Sequence, residues 1–529
     1  MMPGMISPSV PGAASGPRPA PGSRGVAALA GVVAAAAALG ASELLAGVLP
    51  GGSSLIASVG QVAIDLQPPG AKDVVVGLFG TNDKLAFELF IIGVGLIAGA
   101  ALGMIALRRP AIGGLGFAAF GAVGFFATLG DPLAYPAISA VSAVVAVVVG
   151  LWLLGWLPAT DGAAGGPTRA GMPDWSRRSF LIRAGGVGVG AVVAGVAGRG
   201  LLERQLATPV GSGSPIPPAS DVVPALLPES DLAGTVDGLT PIVMPNDRFY
   251  RIDTALLAPN IDLTSWSLRI HGLVDRETTL TWDELIGLPM FEQYVTIACV
   301  SNEVGGELVG NAKWTGVRLR DVLDIAGVQP LATQLVGRSV DGWTAGMPTA
   351  WVMDPEREPM IAVKMNDEPL PRPHGYPARL IVPGLYGYVS ATKWLKELEL
   401  TTLEAFDGYW VPLGWAKEAP ILTQSRIDTP RGGRVAAGRV PVAGIAWAPD
   451  RGIARVEVGI DGTWEEARLS RPISDATWVQ WVYDWAATPG RYTIQVRATD
   501  GAGETQIEQR SRPAPDGARG WDEVSVEVG

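Results

Sequence analysis

The chain has few of the residues that most often hold metals. Its 529 residues include one cysteine, Cys299, and two histidines, His271 and His374. A single cysteine excludes an intramolecular disulfide framework and a metal site built from several cysteines. Two histidines exclude a histidine-rich metal site.

Charged residues are also scarce, at 17% of the chain, and they are unevenly distributed. Residues 1–205 carry 12 basic and 9 acidic side chains, so the rest carries 28 and 42 and a net charge of −14. An acidic domain repels phosphate, which argues against a nucleic-acid partner. The low charge content instead fits a chain that is partly embedded in a membrane.

Four long apolar runs lie near 25–49, 85–107, 111–130 and 136–157. Each is long enough to cross a hydrocarbon core of about 30 Å as a helix. Arginines mark the ends that we expect to face the cytoplasm: Arg18, Arg24, Arg108, Arg109, Arg169, Arg177 and Arg178. Residues 1–24, rich in Pro, Gly and Ser, are predicted to form a disordered cytoplasmic tail.

The run from Ser176 to Leu181 resembles a twin-arginine export signal, and a Gly-rich apolar stretch follows it to about Gly198. Export signals of this kind are addresses read by a receptor. Residues 158–205 are therefore predicted to form a cytoplasmic loop, the signal and a fifth span. Everything after Gln205 would lie outside the cytoplasm, beginning with a Pro-rich linker at 206–237. Since the twin-arginine route carries folded proteins, it suggests a cofactor that is inserted before export.

Neither histidine falls within residues 1–205, and the only methionine in a proposed span is Met104. Axial ligands for a transmembrane haem are therefore scarce, and we predict no haem in this chain. Electrons would need a separate carrier, which could be a cytochrome, a quinone or a soluble protein.

The last segment, 420–529, reads as six short strands separated by turn signals such as Asp461-Gly462 and Pro489-Gly490. The predicted strands are Val440–Trp447, Ala454–Ile460, Trp464–Leu469, Trp478–Trp485, Tyr492–Ala498 and Val524–Val528. Their number and spacing predict an immunoglobulin-like sandwich. Five tryptophans in these strands exceed what one small core needs, which favours an interface and a homodimer.

Cys299 ends an apolar run and precedes a polar, Gly-rich loop. A lone cysteine is most often buried core. Its position at the end of a strand also suits a nucleophile or a metal thiolate. The residue alone does not decide between these three.

Motifs in the surrounding sequence change this balance. They are Pro245–Tyr250, Gly310–Val317, Asn366–Pro371, His374–Leu380, Pro383-Gly384 and Lys393-Trp394. Six motifs in this order around one cysteine resemble the molybdopterin domain of the sulfite oxidase family, over about 238–418. The segment 420–529 is similar to the immunoglobulin-like dimerisation domain of that family. The implied fold is multidomain: an all-α transmembrane region of about five helices, a mixed α+β molybdopterin-binding domain and a C-terminal β-sandwich.

The resemblance implies a molybdenum ion held by one pterin dithiolene, oxo groups and the Cys299 thiolate. The matching cofactor-binding positions are Asn246, Phe249, Cys299, Asn302, Asp341, His374, Arg379, Ser390 and Lys393. Tyr409 is a candidate for the substrate pocket, and an aromatic at a domain interface is an equal alternative. On residue type alone, Asn246 could be a turn residue and His374 a surface residue.

These observations predict a membrane-anchored molybdopterin-dependent oxidoreductase that transfers an oxygen atom to or from a small substrate outside the cytoplasm. The alternative is a membrane-tethered binding or structural protein that keeps the fold without the metal. Family members that oxidise sulfite commonly have arginines after the cysteine motif, whereas Glu303 and Val304 follow Asn302 here. With the −14 net charge, this predicts that sulfite is a poor substrate and that a neutral or weakly charged molecule, such as an S-oxide or N-oxide, is preferred. Arg372 or Arg426 could reverse that argument if either folds into the pocket.

Overall fold

The computed structural model describes residues 21–68, 83–157, 174–207 and 214–529. Most of the predicted cytoplasmic tail and the loop after residue 157 lie outside the described residues. The chain divides into two compact units. The first comprises the described parts of Met1–Gly60, Phe87–Gly130 and Ala134–Glu203, and the second those of Gln61–Ala86, Asp131–Leu133 and Arg204–Gly529.

The N-terminal part of the chain is helical wherever it is described. Its helices are α1 (Pro21–Val48), α2 (Leu55–Asp65), α3 (Asp83–Ala106), α4 (Pro110–Thr128), α5 (Pro136–Trp156) and α6 (Asp174–Ala207). All but α2 are long and apolar enough to span a bilayer. This confirms the predicted number of apolar helices and is compatible with a membrane anchor.

Within the first unit, glycines let the long helices approach closely. A Cβ atom on Gly31 of α1 would lie 2.1 Å from the carbonyl oxygen of Gly99 in α3. A Cβ atom on Gly47 of α1 would lie 2.1 Å from that of Gly198 in α6. Small residues at helix contacts are typical of membrane helices, where close packing replaces the hydrophobic effect.

The mixed part of the second unit contains two sheets. Its strands are β1 (Ser267–Gly272), β2 (Thr278–Thr281), β3 (Met290–Ala298), β4 (Val309–Arg318), β5 (Gln334–Ser339), β6 (Thr344–Pro348), β7 (Met360–Met365), β8 (Glu368–Pro369), β9 (Arg379–Ile381) and β10 (Leu395–Thr401). One sheet has the order β2-β1-β10-β5-β6, with β1 and β10 parallel. The other has the order β3-β4-β7-β8, and β9 also pairs with β7.

Short helices connect these strands: α7 (Trp282–Ile286), α8 (Leu319–Ala326), α9 (Thr349–Val352) and α10 (Gly387–Ser390). Thr281 caps α7 in a capping box with Glu284, which satisfies backbone N–H groups at the helix start. The two sheets and the helices enclose a continuous apolar core that includes Trp266, Leu268 and Trp394. This part is therefore the predicted mixed α+β domain.

The C-terminal strands form two further sheets. The strands are β11 (Gln424–Thr429), β12 (Gly433–Val435), β13 (Gly438–Trp447), β14 (Ile453–Ile460), β15 (Thr463–Glu466), β16 (Arg468–Leu469), β17 (Val479–Ala487), β18 (Gly490–Asp500) and β19 (Asp522–Val528). The sheet orders are β11-β13-β17-β16 and β12-β19-β18-β14-β15. Residues of both sheets share one apolar core. Five of the six predicted strands are present as single strands. The predicted strand Trp464–Leu469 is instead divided into β15 and β16, which lie in different sheets, and the structure adds β11 and β12.

The tryptophans of these sheets do not support the argument made for a dimer. Trp447, Trp478, Trp481 and Trp485 are each at most 7% exposed. They are buried inside the chain and leave little surface for a partner. The homodimer stays a prediction, and it loses the support that these four side chains were expected to give.

Candidate functional site

Cys299 follows β3 directly and begins a tight loop that returns to β4. The Cys299 N–H donates to the carbonyl of Leu308 (2.9 Å), and the Asn302 N–H donates to the carbonyl of Cys299 (3.1 Å). The Asn302 Oδ1 accepts from the Leu308 N–H (2.8 Å). Gly305 makes the turn at φ +76°, a conformation that favours glycine. The cysteine loop, residues 299–308, is thus closed by its own hydrogen bonds.

A pocket opens beside Cys299, and its wall is largely aromatic. The aromatic residues that line it are Phe249, Tyr250, Trp343, Tyr388, Trp394, Trp410 and Trp415. The charged residues that line it are Asp253, Asp341, Arg379 and Lys393. Among the described residues, no group of three or more histidine, cysteine or acidic side chains could hold a metal on its own. A metal at Cys299 would need other ligands, such as those of an organic cofactor.

Arg379 is a buried cation without a carboxylate partner among the described residues. It lies at the start of β9 and is 2% exposed. Its Nη1 donates to the carbonyl of His374 (2.9 Å), its guanidinium lies 5.1 Å from the ring centre of Trp314, and its Nε has no hydrogen-bond partner. Burial lowers the pKa of Arg379 to about 10. A buried guanidinium without a carboxylate partner favours the binding of an anion.

Lys393 lies in the same pocket beside Asp253. Its Nζ donates to Asp253 (3.0 Å) and to the carbonyl of Pro373 (3.1 Å). Burial lowers the pKa of Lys393 to about 8, against the opposing effect of Asp253. Burial would raise the pKa of Asp253, but Lys393, Lys84 and Arg251 hold it well below its usual range. Lys393 is therefore still mostly protonated at pH 7, and a bound anion would raise its pKa.

His374 is buried and makes one hydrogen bond. Its Nε2–H donates to the carbonyl of Asn246 (2.9 Å), and its Nδ1 has no partner among the described residues. The edge of the ring meets Phe249, with ring centres 5.7 Å apart. Burial, assisted by Lys393, lowers the pKa of His374 to about 4. The imidazole is therefore neutral at pH 7, and Nδ1 can accept a hydrogen bond from a ligand.

The remaining predicted site residues occupy different places. Phe249 and Asp341 line the pocket together with Cys299, Arg379 and Lys393. Asn246 lies behind the pocket, where its carbonyl orients His374. Asn302 braces the cysteine loop, and its Nδ2 is buried without a partner among the described residues.

Two predicted residues have other functions in the structure. The Ser390 hydroxyl donates to the carbonyls of Leu385 and Tyr386, so it closes α10. The Tyr409 hydroxyl donates to Asp65 (2.9 Å), and its neighbour Trp410 lines the pocket in its place. Cofactor contacts of Ser390 and substrate contacts of Tyr409 remain predictions.

Sequence reasoning missed several residues that line the pocket. Tyr250 and Asp253 follow Phe249 closely in the chain, and this proximity was the available signal. Tyr388 of α10 and Trp415 of the following loop reach the pocket from segments that are distant in sequence from Cys299, and their rings lie 5.9 Å apart. Glu303 is exposed, and neither it nor Val304 lines the pocket. The predicted local effect of these two residues on an anionic substrate is therefore weaker than the sequence suggested.

Comparison with known proteins identifies this part of the chain. Residues 255–410 match the family model described as an oxidoreductase molybdopterin binding domain. The chain is 32% identical to mitochondrial sulfite oxidase of Homo sapiens over 288 residues, which is 45% of this chain and 52% of that protein. It is 33% identical to the uncharacterized oxidoreductase YuiH of Bacillus subtilis over 154 residues, which is 29% of this chain and 74% of that protein.

Among solved structures, the sulfane dehydrogenase SoxCD from Paracoccus pantotrophus matches with a TM-score of 0.45 and 23% identity. The match covers 53% of this chain and 79% of that one. The chain spans about half the length of the mammalian sulfite oxidases that it matches.

Proposed function

Because the chain belongs to the sulfite oxidase family of molybdopterin-dependent oxidoreductases, we propose that it is a membrane-anchored enzyme that transfers an oxygen atom to or from a small substrate. Its catalytic part would lie on the extracytoplasmic side. One observation carries the proposal: the only thiol of the chain shares a pocket with Arg379, a buried cation whose Nε has no partner among the described residues.

The residues of the pocket fit a molybdenum cofactor. The Cys299 sulfur is a soft donor suited to such a metal. Arg379 and Lys393 supply a guanidinium fork and an ammonium group, which suit the phosphate of a pterin. His374 Nδ1 and Asn302 Nδ2 are a buried acceptor and a buried donor without partners among the described residues. Unsatisfied buried polar atoms of opposite kinds in one region support a ligand with its own donors and acceptors.

When bound, the cofactor supplies the two-electron chemistry that moves an oxygen atom. The chain supplies the position and the surroundings. Cys299 is the protein ligand, and Asn302 keeps its loop closed. Burial raises the pKa of Tyr250, and the nearby Cys299 raises it further, so Tyr250 keeps its proton and can donate a hydrogen bond beside the sulfur. The aromatic side chains of the wall give much of the pocket an apolar lining beside the sulfur.

The membrane arrangement is part of the same proposal. Five apolar helices support an anchor, and the arginine clusters support a cytoplasmic N-terminus with the second unit outside. The twin-arginine pattern at the start of α6 supports export of a folded, cofactor-loaded domain. A separate electron carrier would exchange single electrons with the cofactor, with no haem in this chain. A homodimer through an immunoglobulin-like C-terminal domain remains part of the proposal by family resemblance.

The charges of the pocket also bear on the substrate. Two cations line the pocket, Arg379 and Lys393, and the proposal assigns both to the cofactor. Arg426, which could have joined them, pairs with Asp428 instead. Arg372 donates to the carbonyl of Ala258 (2.6 Å) and does not line the pocket. Among the described residues, no lining cation is then left for a substrate dianion, which supports a neutral or weakly charged S-oxide or N-oxide as the preferred substrate.

Metal analysis of the purified full-length protein tests the proposal. We expect close to one molybdenum per chain in the wild type and a changed visible spectrum in Cys299→Ser. A protein that folds without molybdenum when it is produced in cells that make the cofactor would favour the alternative, a tethered binding protein. Cys299→Ser also distinguishes the enzyme from the binding protein, because the visible spectrum of a protein without metal should not change with this substitution.

A further inference from the structure

The C-terminal sheets contact the cysteine loop directly, and the sequence suggested Arg426 only as a possible pocket cation. We infer that these sheets position the Cys299 sulfur, and that Arg426 of β11 is the positioning residue. The inference rests on the proposed function, because it concerns the same thiol. It adds a function to a segment that the sequence suggested only for dimerisation.

Arg426 uses its whole guanidinium group to join three segments. Its Nη1 donates to the carbonyl of Gly306 in the cysteine loop (2.9 Å). Its Nε donates to Asp428 (2.8 Å), and its Nη2 donates to the hydroxyl of Thr240 (2.8 Å). Asp428 also accepts from the backbone N–H of Thr240 (3.0 Å). Arg426 is 5% exposed and Asp428 is 1% exposed, so the assembly is shielded from water.

A second contact lies one residue away on the loop. Asp522 of β19 accepts from the backbone N–H of Ile427 (2.9 Å), which fixes its carboxylate. A Cβ atom added to Gly305 would lie 2.4 Å from the other oxygen of Asp522. Gly305 also has a positive φ of +76°. The loop therefore passes against Asp522 at a point where only glycine fits both the space and the backbone conformation.

The strand that leads to the cysteine is held from the same side. The Thr296 N–H donates to the carbonyl of Ala476 (2.9 Å), and the Thr296 hydroxyl accepts from the Trp478 N–H (2.8 Å). Thr296 is three residues before Cys299 and is fully buried. The C-terminal sheets thus hold the chain both before the cysteine, at Thr296, and after it, at Gly305 and Gly306.

These contacts reach the sulfur through the backbone of the loop. Gly306 donates to the carbonyl of Glu303 (2.9 Å), and the next bonds run from Leu308 to Asn302 and from Cys299 to Leu308. The hydrogen bond from Arg426 fixes the orientation of the Gly306 carbonyl. If the carbonyl is released, the loop gains backbone freedom, and the sulfur samples more positions. Metal ligands of this kind depend on the groups behind them for orientation.

The reactivity of the thiol gives a direct test, because Cys299 is the only thiol in the chain. We would compare wild type, Arg426→Lys and the control Arg439→Lys as full-length, cofactor-free proteins. Arg439 lies on β13 of the same sheet, is 78% exposed at its side chain and pairs with Asp484. Lysine keeps the charge beside Asp428 but cannot hold three acceptors with a fork.

We expect iodoacetamide to alkylate Cys299 about tenfold faster in Arg426→Lys, the factor that corresponds to one lost buried hydrogen bond. We expect no change in Arg439→Lys. In the loaded proteins, Arg426→Lys should also shift the thiolate-to-metal absorption band and the electron paramagnetic resonance signal of the half-reduced metal. An unchanged alkylation rate in a folded Arg426→Lys protein would overturn the inference.

Gly305→Ala is a second variant, in case Arg426→Lys does not fold. It leaves the Arg426 side chain unchanged and displaces the loop at Asp522, next to the carbonyl of Gly306, so it should also accelerate alkylation. An alkylation rate equal to wild type in Gly305→Ala would overturn the inference. The alkylation assay does not need the metal. If the wild type contains no molybdenum while alkylation responds as expected, the proposed function fails and the positioning role stands.

Discussion

Two arginines of this protein are almost equally buried and have opposite surroundings. Arg379, at 2% exposure, has no carboxylate partner and one nitrogen without a hydrogen bond among the described residues. Arg426, at 5% exposure, has every nitrogen engaged and pairs with the buried Asp428. Burial of an unpaired charge is costly, so a protein keeps one where a ligand will complete it. Arg379 marks a binding site, and Arg426 marks a structural junction.

The same contrast extends to the regions around the two arginines. The unpartnered atoms His374 Nδ1, Arg379 Nε and Asn302 Nδ2 belong to the mixed domain, at the pocket or beside its loop. In the C-terminal sheets the buried Asp500 is matched by Arg451 at 2.8 Å. The buried atoms without partners in the C-terminal sheets are the indole nitrogens of Trp447 and Trp481, so the one buried guanidinium nitrogen and the one imidazole nitrogen that lack partners among the described residues both belong to the mixed domain. Four experiments test this contrast.

The largest effect is expected at the thiol. Cys299→Ser should abolish turnover, because an alkoxide is a harder ligand than a thiolate and holds such a metal differently. The change is nearly isosteric, so the thermal midpoint of the cofactor-free protein should stay close to that of the wild type. Wild-type turnover in purified, molybdenum-containing Cys299→Ser would show that the sulfur is not a ligand.

The second effect compares the two arginines directly. Arg426→Met should lower the free energy of unfolding by about 3–5 kcal/mol, because Asp428 is left buried and unpaired. Arg379→Met should leave the cofactor-free protein as stable as the wild type or more stable by about 1 kcal/mol, since an unpaired buried charge is removed. Denaturant titration of both cofactor-free proteins measures this difference.

The molybdenum content completes the comparison of the arginines. Arg379→Met should contain much less molybdenum per chain than the wild type, although it is no less stable. If Arg379→Met instead unfolds as readily as Arg426→Met, the assignment of Arg379 to a ligand is wrong. Arg439→Met, at an exposed position of the sheet, serves as the control for both variants.

The sequence predicted part of this contrast. Arg379 and His374 could be named because they lie in one short motif, and β9 and its preceding turn place that motif at the pocket. Five of the C-terminal strands followed from alternation and turn residues within one segment, whereas the division of the predicted strand Trp464–Leu469 into β15 and β16 did not. Arg426 was noticed only as a possible pocket cation, because its contact with Gly306 joins residues 120 positions apart. A local sequence pattern cannot predict a contact between residues so far apart in the chain.

The locations of the tryptophans also depend on contacts between distant segments. Trp478 was counted toward an interface, but its indole N–H donates to the carbonyl of Ile242 (2.8 Å), 236 positions away. Trp415 was not noticed, although it lines the pocket beside Tyr388. Whether an aromatic side chain belongs to a core, an interface or a pocket depends on which distant segment packs on it. Residue type and spacing do not give this information.

The third effect is a pH dependence of cofactor stabilisation. Lys393 has a pKa of about 8 in the folded protein without an anion, below its ordinary value of 10.5. Between these values the unfolded chain binds more protons, so the cofactor-free protein gains stability from this group as pH rises above 8. A bound phosphate would keep Lys393 protonated, so the loaded protein does not gain this stability as pH rises. The stabilisation by the cofactor should therefore fall by about 2 kcal/mol between pH 8 and 9.5.

Thermal midpoints of loaded and cofactor-free protein across this range measure the difference. Lys393→Met should remove most of the pH dependence of the difference. Lys396→Met should retain it, because Lys396 is 55% exposed at its side chain and pairs with Glu397. A difference that is constant from pH 7 to 9.5 in the wild type would contradict the assignment of Lys393 to the phosphate.

The smallest effect concerns sulfite. The sequence placed Glu303 beside the metal as a repulsive charge, but its side chain is exposed and does not line the pocket. Solvent and salt screen a charge in that position, so Glu303→Gln should change KM for sulfite by no more than about twofold at 0.15 M salt. The larger barrier to sulfite is the absence of a lining cation that the cofactor does not use. We therefore expect a millimolar KM for sulfite in both proteins and tighter binding of a neutral sulfoxide. A KM for sulfite in the micromolar range, with rapid turnover, would mean that Arg379 or Lys393 binds the substrate. The buried cations would then include one that binds substrate, in addition to one that binds the cofactor and one that is structural.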